Sequence, residues 1–367
     1  MPPVAIRRSS SYGPSLRGAG LVEIVIAIES LTWWPPGTVA GRFRERLMND
    51  DVVTRAPSGI LVIDKPRGPT SHDVVARLRR VLRVRAVGHA GTLDPMATGV
   101  LVVAVGEGTK LVPWLSSAAK AYEAAIGLGV ETDTLDAEGR EVRRAPVPPA
   151  IVDALGDVTT AASDPTVRAA LSCELARTSQ VPPAYSAIRT DGVRAFVRAR
   201  RGESPEMAAR PVVVASLCLV ACQREPPEIR ILAEVGKGYY VRSLARDLAA
   251  ALGTAGHLTY LRRTRSGCFT LDEATSLDRS ADDLVARIVP LARAAARALA
   301  VARLTEAGAR DARFGRVLAA DDVRTASPPD APCAWLDADE ALVAVGRVDE
   351  DGRGHVIRGF GSDAQPG

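Results

Sequence analysis

Short apolar runs and one helical periodicity organise the chain from residue 59 onward. Residues 60–63 and 100–105 are continuous and rich in β-branched side chains, so they predict buried strands. Between them, apolar residues recur at three- and four-residue spacing, which predicts a helix capped by Ser71 and running to about Leu82. The residues on the apolar face of this helix are Val74, Val75, Leu78, Val81 and Leu82.

The same patterns predict the elements that follow. Strands are expected over residues 121–129, 211–222 and 229–235, and helices over 148–155 and 241–252, the second ended by Gly253. An Arg/Ala-rich stretch from about Leu284 to Arg310 is expected to be helical, with strands after it at 334–336 and 341–348. This arrangement favours an α+β fold with a largely antiparallel sheet and flanking helices.

Residues 1–57 differ from the rest of the chain because they show no sustained periodicity. We expect a disordered extension, or upstream sequence included by a wrongly chosen start, with Met48 as the alternative first residue. A basic RNA-binding tail is the functional alternative.

Composition permits nucleic-acid binding without demanding it. The formal charge is +4, the pI is about 8.9, and only four of the 47 basic residues are lysines. Arginine suits phosphate and base recognition, although codon bias in a GC-rich genome gives the same excess.

The five cysteines lack the paired spacing of a zinc site, so we expect reduced thiols, no metal and no cofactor. Residues 21–28 are too short and too polar for a signal sequence or membrane span, so we expect a cytoplasmic protein with no membrane partner.

The most specific segment is Gly88-His89-Ala90-Gly91-Thr92-Leu93-Asp94-Pro95-Met96-Ala97-Thr98-Gly99. It places one acid, Asp94, in a turn-forming loop before a buried strand, and Pro95 restricts the backbone at that acid. A carboxylate on a stiff loop suits a nucleophile or an acid/base group. An Asx turn without chemistry is the alternative from loop composition alone.

This segment resembles the catalytic motif G-H-x-G-x-L-D-P-x-A-T-G of the TruB family, bacterial tRNA pseudouridine synthases that act on the T-loop. Every fixed position matches. The resemblance implies a pseudouridine-synthase fold and a catalytic aspartate at Asp94. It also implies that His89 packs into the T-loop and helps to hold the displaced base.

Further segments match the family in order. Lys120-Ala121-Tyr122 matches K-x-Y, Lys237-Gly238-Tyr239-Tyr240-Val241-Arg242 matches K-G-x-Y-[IV]-R, and Leu261 matches an aliphatic position. By this resemblance, Arg242 pairs with Asp94, Tyr122 is a base, and Tyr240 and Leu261 fix the uracil.

The segment from Val181 to Arg201 resembles the RNA-gripping thumb, with Arg189 in place of the usual lysine. The run from Gly129 to Gly139 also matches, and we expect a turn that shapes the RNA surface. Arg262 and Arg263 are candidate phosphate contacts. The remaining predicted substrate-binding residues are Lys65, Lys110 and Lys120.

The resemblance implies a catalytic domain over residues 58–285, with the thumb at about 181–207, and a small PUA-like RNA-binding β domain over 286–363. It implies a monomeric isomerase that forms pseudouridine at position 55 of tRNA by base flipping, with no obligatory protein partner. A tRNA-folding chaperone without chemistry and a guide-RNA-dependent relative are the alternatives.

Overall fold

An eight-stranded mixed sheet and a separate five-stranded sheet form the framework of the protein, as seen in a computed structural model. The structure describes residues 57–190, 192–203, 205–325 and 328–361. The predicted N-terminal extension, up to residue 56, lies outside the described residues.

The strands, in chain order, are β1 (Gly59–Lys65), β2 (Val87–His89), β3 (Thr98–Val105), β4 (Lys120–Leu128), β5 (Val130–Thr132), β6 (Glu141–Arg144), β7 (Ser179–Gln180), β8 (Arg189–Thr190), β9 (Val193–Arg194), β10 (Arg210–Pro211), β11 (Val214–Arg224), β12 (Pro227–Val235), β13 (Gly256–Ser266), β14 (Phe269–Thr270), β15 (Ala300–Leu304), β16 (Val323–Arg324), β17 (Cys333–Leu336), β18 (Leu342–Val348) and β19 (Gly354–Gly359).

The helices are α1 (Ser71–Leu82), α2 (Val112–Ser117), α3 (Pro149–Ala154), α4 (Val158–Ser163), α5 (Pro165–Leu175), α6 (Ala195–Arg200), α7 (Val241–Ala251), α8 (Ala281–Ala286), α9 (Leu291–Ala298) and α10 (Glu306–Arg313). Within the described ranges, 3-10 turns cover Gly106–Leu111, Leu271–Glu273 and Ala320–Asp322.

The large sheet has the order β1-β3-β13-β4-β12-β11, with β2 paired to β3 and β14 to β13. Only the β13–β3 pairing is parallel. The small sheet has the order β16-β15-β17-β18-β19, with β15 and β17 parallel. The predicted α+β class with a largely antiparallel sheet is confirmed.

The two faces of the large sheet have different partners. One face contributes Leu61, Ile63, Tyr122 and Leu261 to a core that includes apolar residues of α1 and α7. On the other face, β1 and β3 share a second core with α9 and with β17 and β18 of the small sheet. The first face is therefore the one on which a site near Asp94 and Tyr122 can form.

The N-cap of α1 is Thr70, so the prediction of Ser71 is wrong by one residue. Thr70 and Asp73 form a reciprocal capping box. Ser71 is fully buried, and its hydroxyl instead bonds to both the amide and the carbonyl of Leu93. Its role is to hold the loop that carries Asp94.

The stretch from Leu284 to Arg310 that was predicted to be helical is helical only in part. Strand β15 separates α9 from α10 within this stretch. Ala302 and Leu304 are buried while Arg303 between them is exposed, which is strand alternation. Pairing with β16 and β17 therefore overrides a helix-favouring composition.

The domain boundary near residue 285 stays a prediction.

In the part of the chain that the structure describes, no helix is long and apolar enough to cross a membrane.

Candidate active site

The loop that carries Asp94 is fixed through its backbone. We call residues Gly91–Met96 the Asp94 loop; it connects β2 with β3. Each carbonyl from Gly91 to Pro95 accepts a hydrogen bond, from the donors Arg263, Ser71, Ala97, Lys65 and Gly68. A loop in which five successive carbonyls are bonded holds the Asp94 side chain in one place without help from a ligand.

Arg263 is the main support of this loop. It is fully buried, and its Nε donates to Val100 O at 2.7 Å. Its Nη2 and Nη1 donate to Gly91 O at 3.0 Å and Thr92 O at 3.3 Å. The predicted phosphate contact is wrong for Arg263, because the guanidinium is enclosed by carbonyls.

Gly99 permits the close approach of β3 and β13 beside this arginine. It pairs with Arg263 and has a φ of +98°. A Cβ at this position would lie 2.2 Å from Arg263 O. The glycine that ends the loop motif is therefore required by the backbone.

Lys65 supports the loop from the other side. Its ammonium donates to the carbonyls of Pro66, Pro69 and Pro95 at 2.9, 2.8 and 3.2 Å. The residue is fully buried, and burial lowers the pKa of its ammonium to about 8. All three N–H donors are used, so the predicted RNA contact of Lys65 is wrong.

Asp94 and Arg242 form a two-pronged ion pair. Arg242 Nε donates to Asp94 Oδ2 at 2.9 Å, and Nη2 donates to Oδ1 at 3.2 Å. The Asp94 side chain keeps 32% of its surface exposed, whereas that of Arg242 keeps 6%. The carboxylate is thus held in one orientation by a buried cation and remains reachable from solvent. The predicted pairing of these two residues is confirmed.

The Arg242 guanidinium is itself fixed. Its Nη1 donates to Thr134 O and its Nη2 to Tyr185 O, both at 2.9 Å. The side chain of Asp136 is 7% exposed, and its Oδ2 lies 3.8 Å from Arg242 Nε. Arg242 therefore lies between two carboxylates and joins Asp94, the 132–139 turn and the thumb segment.

Asp136 and Thr134 were not predicted to belong to the site. The sequence match suggested a turn that shapes the RNA surface, but this turn supports Arg242 from inside the protein. Asp136 Oδ1 accepts from Thr134 Oγ1 at 2.7 Å and from Glu138 N at 3.0 Å. A buried acid in a tightly bonded turn was the available signal, and only the fold shows what it faces.

Tyr122, Leu261 and Tyr240 come from three elements. Tyr122 on β4 and Leu261 on β13 are both almost buried and point to the same face of the sheet. Tyr240 precedes α7 and is half-buried. Burial raises the pKa of its phenol, while Arg242 acts in the opposite direction and Asp94 in the same direction. Tyr240 is therefore within electrostatic reach of the ion pair.

His89 lies edge-on to His72, with ring centroids 5.3 Å apart. Its Nδ1 is buried without a hydrogen-bond partner among the described residues. Burial lowers the pKa of the imidazole, so the ring is neutral at neutral pH and suits packing against a base better than general-acid work. Its contact with RNA stays a prediction.

Arg262 and Lys120 are both bonded within the protein. Arg262 lies between Leu261 and Arg263 on β13, so it points to the opposite face of the sheet, where it pairs with Asp64 at 2.7 Å. An RNA contact by the partly exposed Arg262 stays a prediction. Lys120 is also almost buried, with Nζ bonded to the carbonyls of Ser116 and Ala118. Lys120 thus caps the end of α2, and its contact with RNA stays a prediction.

Lys110 and Arg189 are the remaining two predicted RNA contacts. Lys110 is half-buried and its Nζ contacts Glu107 Oε2 at 2.5 Å and Gly359 O at 3.1 Å. Arg189 is exposed on β8, opposite Arg194. RNA contacts by Lys110 and Arg189 stay predictions. In the ranges that the structure describes, no group of three or more His, Cys, Asp or Glu side chains could hold a metal ion.

Comparison with known families defines the class of protein. The model described as TruB family pseudouridylate synthase (N terminal domain) matches residues 79–241. The model described as tRNA pseudouridylate synthase B C-terminal domain matches residues 242–289. Both halves of the Asp94–Arg242 pair therefore lie in pseudouridylate-synthase sequence. The five-stranded sheet follows the second match, so its PUA-like assignment stays a prediction.

Curated relatives narrow the class to a family. The tRNA pseudouridine synthase B of Arthrobacter sp. (strain FB24) is 39% identical over 318 residues, which cover 84% of this chain and 99% of the relative. The protein of that name from Nocardia farcinica (strain IFM 10152) is 50% identical over 228 residues, covering 61% of this chain and 70% of the relative. This chain belongs to the TruB family of pseudouridylate synthases.

Solved structures agree in fold. A chain from an H/ACA RNP bound to a substrate RNA containing 2'-deoxyuridine is 22% identical, with a TM-score of 0.61 over 86% of this chain and 89% of that one. A chain from a Cbf5-Nop10-Gar1 complex is 23% identical, with a TM-score of 0.62 over 86% and 87%. At this identity the likeness concerns the fold alone.

Proposed function

We propose that this protein is a tRNA pseudouridine(55) synthase, an isomerase that converts one T-loop uridine of tRNA into pseudouridine. The observation that carries the proposal is the Asp94–Arg242 pair, in which an accessible carboxylate is oriented by a buried guanidinium. The relatives named tRNA pseudouridine synthase B support the choice of tRNA as substrate.

Asp94 is the nucleophile in this proposal. In the reaction the C1′–N1 bond breaks, the uracil turns, a C1′–C5 bond forms, C5 loses its proton and N1 gains one. Arg242 donates to both carboxylate oxygens of Asp94 and so holds the nucleophile in one orientation when the base enters the site. Three routes start from it: attack at C1′, attack at C6, or formation of a glycal.

Residues around Asp94 receive the base. Tyr122 is the base that removes the proton from C2′ or C5, while Tyr240 and Leu261 fix the uracil and His89 packs into the T-loop. A stacked uridine cannot reach Asp94, so it must be flipped out at a cost of a few kcal/mol. Phosphate contacts, with Arg189 and the thumb among them, offset this cost and make binding salt-dependent.

The oligomeric state, location and partners of the enzyme follow from the same resemblance. We expect a monomer in the cytoplasm that needs neither a protein partner nor a cofactor, with the small C-terminal sheet as an additional RNA-binding, PUA-like domain. The pattern of exposed arginines on the thumb supports RNA as the partner.

Site mapping tests the proposal. Purified protein is incubated with an unmodified tRNA transcript and no cofactor, and pseudouridine is located by carbodiimide labelling and primer extension. We expect one modified site, at T-loop position 55, and none in a control transcript with cytidine there. Tight binding without product would contradict the proposal and favour a chaperone. Product only after addition of a guide RNA would favour the guide-dependent alternative.

A further inference from the structure

We propose that Gln180 is a positioning residue for the reaction, because its amide fixes the backbone of Tyr240 and so aims the Tyr240 ring at the target uracil. The inference rests on the proposed function and adds to it a residue outside the catalytic motifs.

The contact between the two residues is reciprocal. Tyr240 N donates to Gln180 Oε1 at 2.9 Å, and Gln180 Nε2 donates to Tyr240 O at 3.2 Å. Gln180 is 2% exposed, so water does not compete for these bonds. A primary amide that meets both polar groups of one residue fixes that residue's backbone as a paired strand would.

Tyr240 needs an external support because of its place in the chain. It is the N-cap residue of α7, with φ −111° and ψ 112°. Its amide lies before the first helical turn and has no partner within the helix. Gly238, two residues earlier, is exposed and has φ +88°. Tyr239 between them is held through its side chain, whose hydroxyl donates to Glu174 Oε1 at 2.6 Å, whereas the amide of Tyr240 is held by Gln180.

Gln180 has the rigidity that such a support needs. It lies on β7, which pairs with β10 in the register Gln180 to Arg210. The next residue is also attached to α7, because Val181 O accepts from Ser243 Oγ at 2.9 Å and from Arg246 Nη2 at 3.1 Å. Of these two residues, Gln180 is the one that bonds to Tyr240.

Loss of the Gln180 amide should slow the reaction more than it weakens substrate binding. Substrate affinity comes mainly from phosphate contacts elsewhere, so it should change by no more than about threefold. A misplaced Tyr240 ring lets the uracil move relative to the Asp94 carboxylate, and a displacement of ~1 Å can slow a reaction by about a hundredfold. We therefore expect the rate of chemistry to fall about ten- to a hundredfold in a variant that lacks both bonds.

The central experiment is a double-mutant cycle on the single-turnover rate with T-arm RNA. It uses Gln180→Leu, Tyr240→Ala and the double variant. Ser243→Ala is the matched control, since it removes a bond between the same two segments without touching Tyr240, and Val181 O keeps its bond from Arg246. If Gln180 acts through Tyr240, Gln180→Leu slows the wild type about tenfold or more but adds less than about twofold to Tyr240→Ala.

A pH profile of Gln180→Glu gives a second readout that holds even if Gln180→Leu folds poorly. A protonated glutamic acid has one donor and one acceptor and can restore both bonds, whereas the carboxylate can only accept. The rate of this variant relative to wild type should rise as the pH is lowered from about 8 to about 6, because burial raises the pKa of a carboxyl group.

Failure of the proposed function and failure of the Gln180 role give different results. A wild type that forms no pseudouridine refutes the proposed function itself. An active wild type together with a Gln180→Leu rate within about twofold of it, or equal rate losses in both Tyr240 backgrounds, would overturn the positioning role. So would a Gln180→Glu profile parallel to that of the wild type.

Discussion

Replacement of Arg263 by lysine tests whether the Asp94 loop is held by its backbone. The guanidinium reaches Val100 O through Nε, and Gly91 O and Thr92 O through its terminal nitrogens. A lysine keeps the charge but has one donor atom. It can therefore bond to Val100 O on β3 or to the carbonyls of the loop, but not to both.

The expected magnitude follows from the bonds lost. Hydrogen bonds from a charged group contribute about 1.5–3 kcal/mol each, so the loss of one or two of the three costs about 1.5–6 kcal/mol. Because the loop then moves, the single-turnover rate should also fall, by about tenfold or more.

Urea unfolding followed by far-UV circular dichroism gives the stability, and tritium release under single-turnover conditions gives the rate. Arg262→Lys is the control, since Arg262 is the adjacent residue on β13 and its ion pair with Asp64 is partly exposed. Arg262→Lys should lower the free energy of unfolding by less than about 1 kcal/mol. Equal costs for the two variants would refute the supporting role of Arg263.

Three further predictions concern the acid behind the catalytic pair, the buried lysine and the thumb. Asp136→Asn removes the second carboxylate, 3.8 Å from the catalytic arginine, and should lower kcat about tenfold at unchanged RNA affinity; an unchanged kcat would show that its charge is not needed. Burial lowers the pKa of Lys65 to about 8, below the ~10.4 of an unfolded chain. Between these two pH values the unfolded chain binds more protons than the folded protein, so the free energy of unfolding rises with pH. In urea titrations from pH ~8 to ~9.5, wild type should gain up to ~1.4 kcal/mol per pH unit relative to Lys65→Met, and a constant difference would contradict this sign. Joint replacement of the exposed Arg189, Arg194 and Arg200 by alanine should lower the slope of log affinity against log salt by about 2 and leave the rate at saturating RNA intact; an unchanged slope would show that they do not contact phosphate.

The sequence was most informative where a motif fixes both residue type and spacing. Asp94 and Arg242 are 148 positions apart, and their meeting was predictable because the two motifs that carry them resemble those of the TruB family. The strands around them were predictable because β-branched runs bury both faces of a central sheet. Their exact ends depend on pairing partners, which explains shifts such as the one from 211–222 to Val214–Arg224.

The cations near the loop could not be interpreted from sequence alone. Lys65 and Arg263 stand in a basic protein and are expected on the surface by composition. They are buried because loop carbonyls surround them, and those carbonyls come from segments far apart in the chain. Asp136 presented the same difficulty, since its partner Arg242 is 106 positions away by their numbering.

The most direct test of the central claim compares wild type with Asp94→Asn on T-arm RNA tritiated at uridine C5. The substitution keeps the shape of the side chain and removes the charge that Arg242 orients. We predict tritium release by wild type, none by Asp94→Asn, and RNA affinity of the variant within about tenfold of wild type. Continued release by Asp94→Asn, or loss of RNA binding together with activity, would contradict the assignment of Asp94 as the nucleophile.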